Sequence, residues 1–278
     1  MAIFNGKHFK GIIGKIVLKV QKNGKLTAQS IPAQVPQTEA SQKTAGIMGN
    51  ASTLSKSIRT SMSSLYGDNY PGTMINNLST ANRSILDHCC DKETMTYAFQ
   101  EDSFENLAGF QFNDKSPLSN FLWVKPYLTI NDSKNQITLT IPAFEVVEQL
   151  KMPNHANSCE FYIKMGQFAL FGSTEKSTQL QTLEILPEQT HIPETQFQFD
   201  IMPGCLGVVG LGIKYYKLQN QVKTPLNNKE LNPAAIVGAI FTPGEFIIPK
   251  PVTVNGKSKA TGWSNMSKLK LNFAEPEG

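Results

Sequence analysis

The sequence predicts a mainly β chain with an α-helical hairpin: an immunoglobulin/fibronectin-like antiparallel β-sandwich preceded by an N-terminal β-hairpin and two helices. Three observations predict it. Residues 14–30 alternate apolar and polar side chains about an Asn-Gly pair. Residues 39–90 space apolar side chains by three and four, and from about residue 94 the period falls to two. The implied division is 1–92 for the hairpin and helices, and 93–278 for the sandwich with its C-terminal hairpin.

In "KIVLKVQ", Ile16, Leu18 and Val20 share one face, assigned here to an internal surface; Lys15, Val17, Lys19 and Gln21 share the other. Asn23-Gly24 suits a type I′ turn, whose central residues both need φ > 0. "KLTAQSI" then returns as far as Pro32. Thr38 is a fair N-cap, with Glu39 in the first turn, where the helix dipole favours an acid. Met48, Ala51, Leu54, Ile58, Met62 and Leu65 then mark one buried stripe on a helix of about 27 residues. "GDNYPG" breaks it, and Met74, Leu78, Ala81 and Ile85 carry a second stripe into "DHCC" at 87–90.

Beyond these helices, "FQFN", "FLWVKPYLTI", "NQITLTI", "CEFYIKMGQFALFG", "TQLQTLEI", "TQFQFDI", "CLGVVGLGIKYYKLQ" and "AAIVGAIF" read as strands between Pro, Gly and Asn signals. The glycines of "GVVGLGIKYY" weaken a strand unless it bulges or another backbone approaches closely. "PVTVNGKSKATGW" carries a second Asn-Gly turn, and "KLKLNF" a last alternating strand.

Composition narrows the function. Charged residues are 17% of the chain, below the roughly 25% of average soluble domains, and Ser, Thr, Asn and Gln make up about 28%. Such a neutral polar surface suits β-rich recognition modules. The net charge is +4, and only Arg59 and Arg83 are arginine. Readers of phosphate and base edges favour arginine's planar fork, so specific nucleic-acid recognition is not expected. Four cysteines are too sparse for a disulfide framework. The opening residues show no secretory signal, and the longest apolar runs are half a membrane span. A cytoplasmic location without membrane insertion is therefore expected, with the cell surface, reached through a partner, as the alternative.

Candidate chemistry is thin. His88, Cys89, Cys90, His155 and Cys159 offer soft zinc ligands, but no CxxC or HxxxH spacing occurs, so no metal is expected. Asp102 with Glu105, or Glu145 with Glu148, could share a cleft as acid pairs. No nucleophile elbow, zinc-protease helix or phosphate loop accompanies them. The sequence predicts neither an enzyme nor a bound cofactor.

Two segments suit a protein partner. One is the polar connection 218–233, with Gln219, Asn220, Lys223, Asn227, Asn228 and Lys229; as a loop, it could be shortened with little effect on stability. The other is the N-terminal hairpin, with Lys15 and Lys19. Residues 1–30 hold six lysines and no acid. Outward lysines on an end strand also guard against edge-to-edge aggregation, and that reading is preferred for them. Of the two segments, the connection is favoured.

The opening "GIIGKIVLKVQKNGK", followed by "IPAQVPQTEASQK" and a helix, resembles an uncharacterised family widespread in Bacteroidota. Its members begin with a G-K-[VI] strand, an Asn-Gly turn and an "NPxTxAQ"-like entry into helices, and continue into a β-sandwich. Gln29 and Ser30 stand where that family often has arginine. The resemblance implies a fold and no established activity. It also implies a lineage in which type 9 secretion and gliding adhesins are common. The function expected is a non-enzymatic protein-binding or structural accessory, associated with a cell-surface adhesin or with the secretion and gliding machinery. The alternative is a phage-like or nucleic-acid-associated structural protein using the lysine-rich N-terminus.

Overall fold

The structure, a computed structural model, describes every residue except 1, 5, 22, 32–36, 132, 134, 171, 251, 255–256, 260, 267 and 274–278. Among the described residues the chain is mainly β, 38% strand and 22% helix, with several antiparallel sheets. It divides into two units, Met1–Gln42 and Lys43–Gly278.

Unit one is a meander of β1 (Ala2–Phe4), β2 (Phe9–Ile13), β3 (Ile16–Val20) and β4 (Leu26–Ser30), paired antiparallel in that order. The expected hairpin is therefore the second half of a four-stranded sheet. Its turn differs from the type I′ expectation: Gly24 takes a φ of +79°, and Asn23 stays outside the positive region. Asn23 Oδ1 instead accepts the Lys25 N–H at 3.1 Å. Lys22, Pro32 and the second Asn-Gly pair at 255–256 lie outside the described residues.

Helices α1 (Glu39–Tyr66) and α2 (Met74–His88) follow. Thr38 Oγ1 accepts the Ser41 N–H at 3.3 Å, in keeping with the expected cap. The stripe on α1 is Ile47, Ala51, Leu54, Ile58, Met62 and Leu65, all buried, whereas Met48 is exposed. Starting one residue earlier keeps every step at three or four. Ser55 Oγ donates to Leu78 O and accepts from Asn82 Nδ2, tying the two helices together.

The remaining strands begin with β5 (Thr96–Tyr97), β6 (Tyr127–Asn131), β7 (Gln136–Ile141) and β8 (Phe144–Glu145), before one helical turn, α3 (Val146–Gln149). Next come β9 (Ser158–Ala169), β10 (Thr174–Ser177), β11 (Gln181–Ile185), β12 (His191–Ile192) and β13 (Thr195–Asp200). Then follow β14 (Leu206–Gln219), β15 (Val222–Pro225) and β16 (Ala234–Phe241). Four short strands close the chain: β17 (Val252–Val254), β18 (Lys257–Lys259), β19 (Ser264–Asn265) and β20 (Asn272–Phe273). "FQFN" does not form a strand; its backbone bonds the outer edge of β16 through Gly109, Phe110 and Phe112.

The long strands β9 and β14 pair from Leu206↔Phe168 to Tyr216↔Ser158. One face of this pair gives Phe161, Ile163, Met165, Val209, Leu211 and Ile213 to a core shared with Ile137, Leu139, Phe197 and Phe199 of the β13–β7–β6 sheet. The other face gives Phe168, Leu206 and Val208 to a core shared with Leu54, Ile58, Met62 and Leu65 of α1. Glycines allow the helix so close. A Cβ on Gly210 would lie 2.5 Å from Leu65 Cδ1, and one on Gly212 would lie 2.9 Å from the Leu65 carbonyl oxygen. The β14–β16 register also shifts at Val209/Gly210. Both conditions named for a glycine-rich strand are thus present. The boundary expected after residue 92 instead runs through a core that helices and strands share, because the apolar stripe of α1 is covered by the sheet.

Candidate functional site

The connection 218–233 is mostly ordered structure, which corrects the expectation of a free polar loop. Asn220 and Gln221 take φ of +50° and +66°, forming the tight turn between β14 and β15. Gln219 and Asn220 are exposed at its tip. Lys223 pairs with Glu184 Oε1 at 2.6 Å and lies 5.4 Å from the Tyr216 ring centroid. Asn227 Oδ1 accepts the Tyr215 N–H at 2.7 Å, and its amide donates to Ile213 O and Asn232 Oδ1. Asn228 Oδ1 caps the Glu230 and Leu231 N–H groups, and the exposed Lys229 contributes its carbonyl to Asn113. Three of the six candidate residues here therefore hold the fold together through a side chain or the backbone, and a fourth is engaged in an ion pair.

The Asn227 amide leads to Asn232, which is fully buried. Its amide donates to Tyr66 O at 2.7 Å and Asn69 O at 3.0 Å, while Oδ1 accepts from Lys214 Nζ at 3.1 Å. Its backbone N–H donates to Ser116 Oγ at 2.8 Å. Burial lowers the Lys214 pKa to about 8. The network seals the end of α1 against β14 with its polar groups satisfied, as burial requires.

The zinc candidates are distributed between cores. Cys159 is buried between the sheets, and burial pushes its thiol up to about 12. Cys89 and Cys90 end α2 and pack against the helical cores. Burial also raises both of their pKa values, which disfavours thiolate. Among the described residues no group of three or more His, Cys, Asp or Glu is placed to hold a metal. Asp102 and Glu105 do share a cleft of about 300 Å3 with His88 and Cys89. Glu145 pairs with His191 Nδ1 at 2.7 Å, whereas Glu148 is an exposed residue of α3.

The N-terminal sheet holds the most conspicuous surface. Cross-strand partners share a face. The register Phe4↔Phe9, Gly11↔Leu18, Ile13↔Ile16, Leu18↔Ala28 and Val20↔Leu26 therefore puts eight apolar side chains, with Gly11 among them, on one side. Phe4 and Phe9 touch, with ring centroids 4.9 Å apart. None of this face is buried: Phe4 is 57%, Phe9 50%, Ile13 48% and Ile16 47% exposed, with Leu18 and Val20 intermediate. The internal surface expected for Ile16, Leu18 and Val20 is thus corrected to an open one. Lys10 and Lys19 lie on the opposite face, and Lys15 is in the β2–β3 turn.

No protein family, curated protein or solved structure matches this chain.

A second concavity lies beside α1. Ser52, Thr53, Lys56, Ser57, Arg59 and Thr60 line it from the helix, with Glu175 of β10, Asn265 of β19, Met266 and Lys268 opposite. Sequence reasoning missed it, although Arg59 is one of only two arginines and Ser52, Lys56 and Thr60 recur every four residues. Glu175 and Lys268 join them only through tertiary folding. No helix among the described residues is long and apolar enough to cross a membrane.

Proposed function

We propose that the chain is a non-enzymatic binding or structural protein that docks through the apolar face of its N-terminal sheet. A single observation carries this: eight apolar side chains share one sheet face, and none of them is buried. Four strands of three to five residues present a face of roughly 300 Å2, in the range where an exposed apolar patch marks an interaction site. The occupant is another protein, with an apolar patch rimmed by acidic side chains. Residues 1–30, with six lysines and no acid, carry the complementary charge as a unit. The Bacteroidota resemblance favours an adhesin or a component of the type 9 secretion and gliding machinery as that protein. We also read unit two as an immunoglobulin-type sandwich, supported by the core that β6, β7 and β13 share with β9 and β14.

A photo-reactive phenylalanine analogue placed at Phe9, or separately at Gln219, tests the reading in the native host. Cross-linking from Phe9 to an acidic surface of a second protein, with a yield that falls as salt rises, is the expected result. Capture from Gln219 alone restores the connection as the docking site. A homodimer cross-linked through Phe9 makes a second copy the occupant, and capture of nucleic acid favours the phage-like alternative; either outcome overturns the reading of an acidic protein partner.

A further inference from the structure

The cleft beside α1 carries an inference independent of the docking sheet. It encloses about 330 Å3 between the helix and the β10–β19 pair. Two of its lining residues hold buried atoms with no hydrogen-bond partner: Arg59 Nε, a donor, and Glu175 Oε2, an acceptor. Buried polar atoms are nearly always paired, so two orphans of opposite kind on residues that line one cleft point to a missing partner, met when each side chain turns from its occluded position toward the cleft. That partner must offer an acceptor to the guanidinium and a donor to the carboxylate. Three cations, Lys56, Arg59 and Lys268, face one acid, Glu175, a balance of two positive charges that selects an anion.

We propose that this cleft binds a small anionic sugar. Its carboxylate or phosphate accepts hydrogen bonds from Arg59, with Lys56 and Lys268 adding charge, and a ring hydroxyl donates to Glu175. Ser52 and Thr60 supply hydroxyl groups that can donate or accept as the remaining sugar hydroxyls require. Arginine suits this role because its planar fork presents several donors to one oxyanion. A simple anion such as sulfate satisfies Arg59 and leaves Glu175 without a donor. A neutral sugar satisfies Glu175 and leaves the positive balance unmatched.

Calorimetric titration of the full chain with glucose 6-phosphate and with glucuronate tests this, with glucose and sulfate as controls. Binding of at least one anionic sugar is expected, at least about tenfold tighter than either control. Arg59→Gln and Glu175→Gln should each weaken that binding by about tenfold or more. Lys268→Ala, at an exposed position, provides a third variant should the α1 substitution perturb folding, which circular dichroism reports. Absence of binding by both anionic sugars in the millimolar range overturns the proposal. So does equal binding of sulfate or glucose, or undiminished binding by well-folded Glu175→Gln and Lys268→Ala proteins.

Discussion

Lys214 shows how one residue can look like a surface charge in sequence and act as a half-buried strut. It sits in β14 with Glu160 as its register partner on β9, and its ammonium donates to Asn232. Burial holds its pKa at about 8 against an ordinary 10.5. The unfolded chain therefore binds this proton more tightly than the folded one. The cost to stability is fully present below pH 8 and fades as pH rises towards 10.5. Allowing for partial solvent screening, that cost is about 1–2 kcal/mol. Urea denaturation of the wild type and of Lys214→Met should give curves whose difference favours the variant near pH 7 and narrows between pH 8 and pH 10.5. A difference independent of pH would assign the effect to packing. Asn227 behaves likewise: a polar residue in loop-like sequence surroundings bonds the backbone of β14.

At the scale of elements, the contact between α1 and β14 depends on backbone proximity. Gly212→Ala would place a methyl 2.9 Å from the Leu65 carbonyl oxygen, and neither backbone can yield easily. A loss of about 1–3 kcal/mol is expected. Gly49→Ala, also in unit two, meets nothing within 4 Å on α1. It should stabilise by about 0.5–1 kcal/mol, because alanine loses less backbone entropy in a helix. Thermal denaturation of the two variants checks the pair, and equal shifts would mean that the close approach carries no energetic weight. The β14–β15 ribbon is a further case. Its turn is Asn-Gln instead of Asn-Gly, so the sequence reads as a loop where a ladder forms. Shortening 220–230 would therefore remove β15 and Asn227 together, and the neutral outcome expected of a free loop no longer follows.

The two units of the molecule differ in what holds them. Unit two buries most of β9 and β14 completely, whereas β2, β3 and β4 contain no buried residue. A sheet without a buried face gains little from hydrophobic transfer and opens locally at small cost. Amide hydrogen exchange of the isolated protein should therefore be fast in β2 and β3, and limited by global unfolding in the centres of β9 and β14. Equal protection of the two groups would mean that the N-terminal face is covered in solution. Protection that appears in β2 and β3 only on adding a partner would identify the docking element directly.

The sequence alone determined the elements whose signal is local. The α1 and α2 stripes, the β3–β4 hairpin and the long strands β9, β14 and β16 all follow from periodicity, since burial of one helix or sheet face must repeat with the backbone geometry. The Thr38 cap is legible for the same reason. Tertiary structure decided the rest. Phe9 and Ile13 join Ile16 and Leu18 on one face only through strand register, and no pattern within a strand shows whether that face is covered. Arg59 meets Glu175 and Lys268 across more than one hundred residues of chain. Asn232 is legible as polar, yet its role comes from the carbonyl groups at the end of α1 that it reaches. Local pattern records which side chains prefer burial; which groups meet depends on long-range packing, and the docking face and the polar cleft both belong to that second kind.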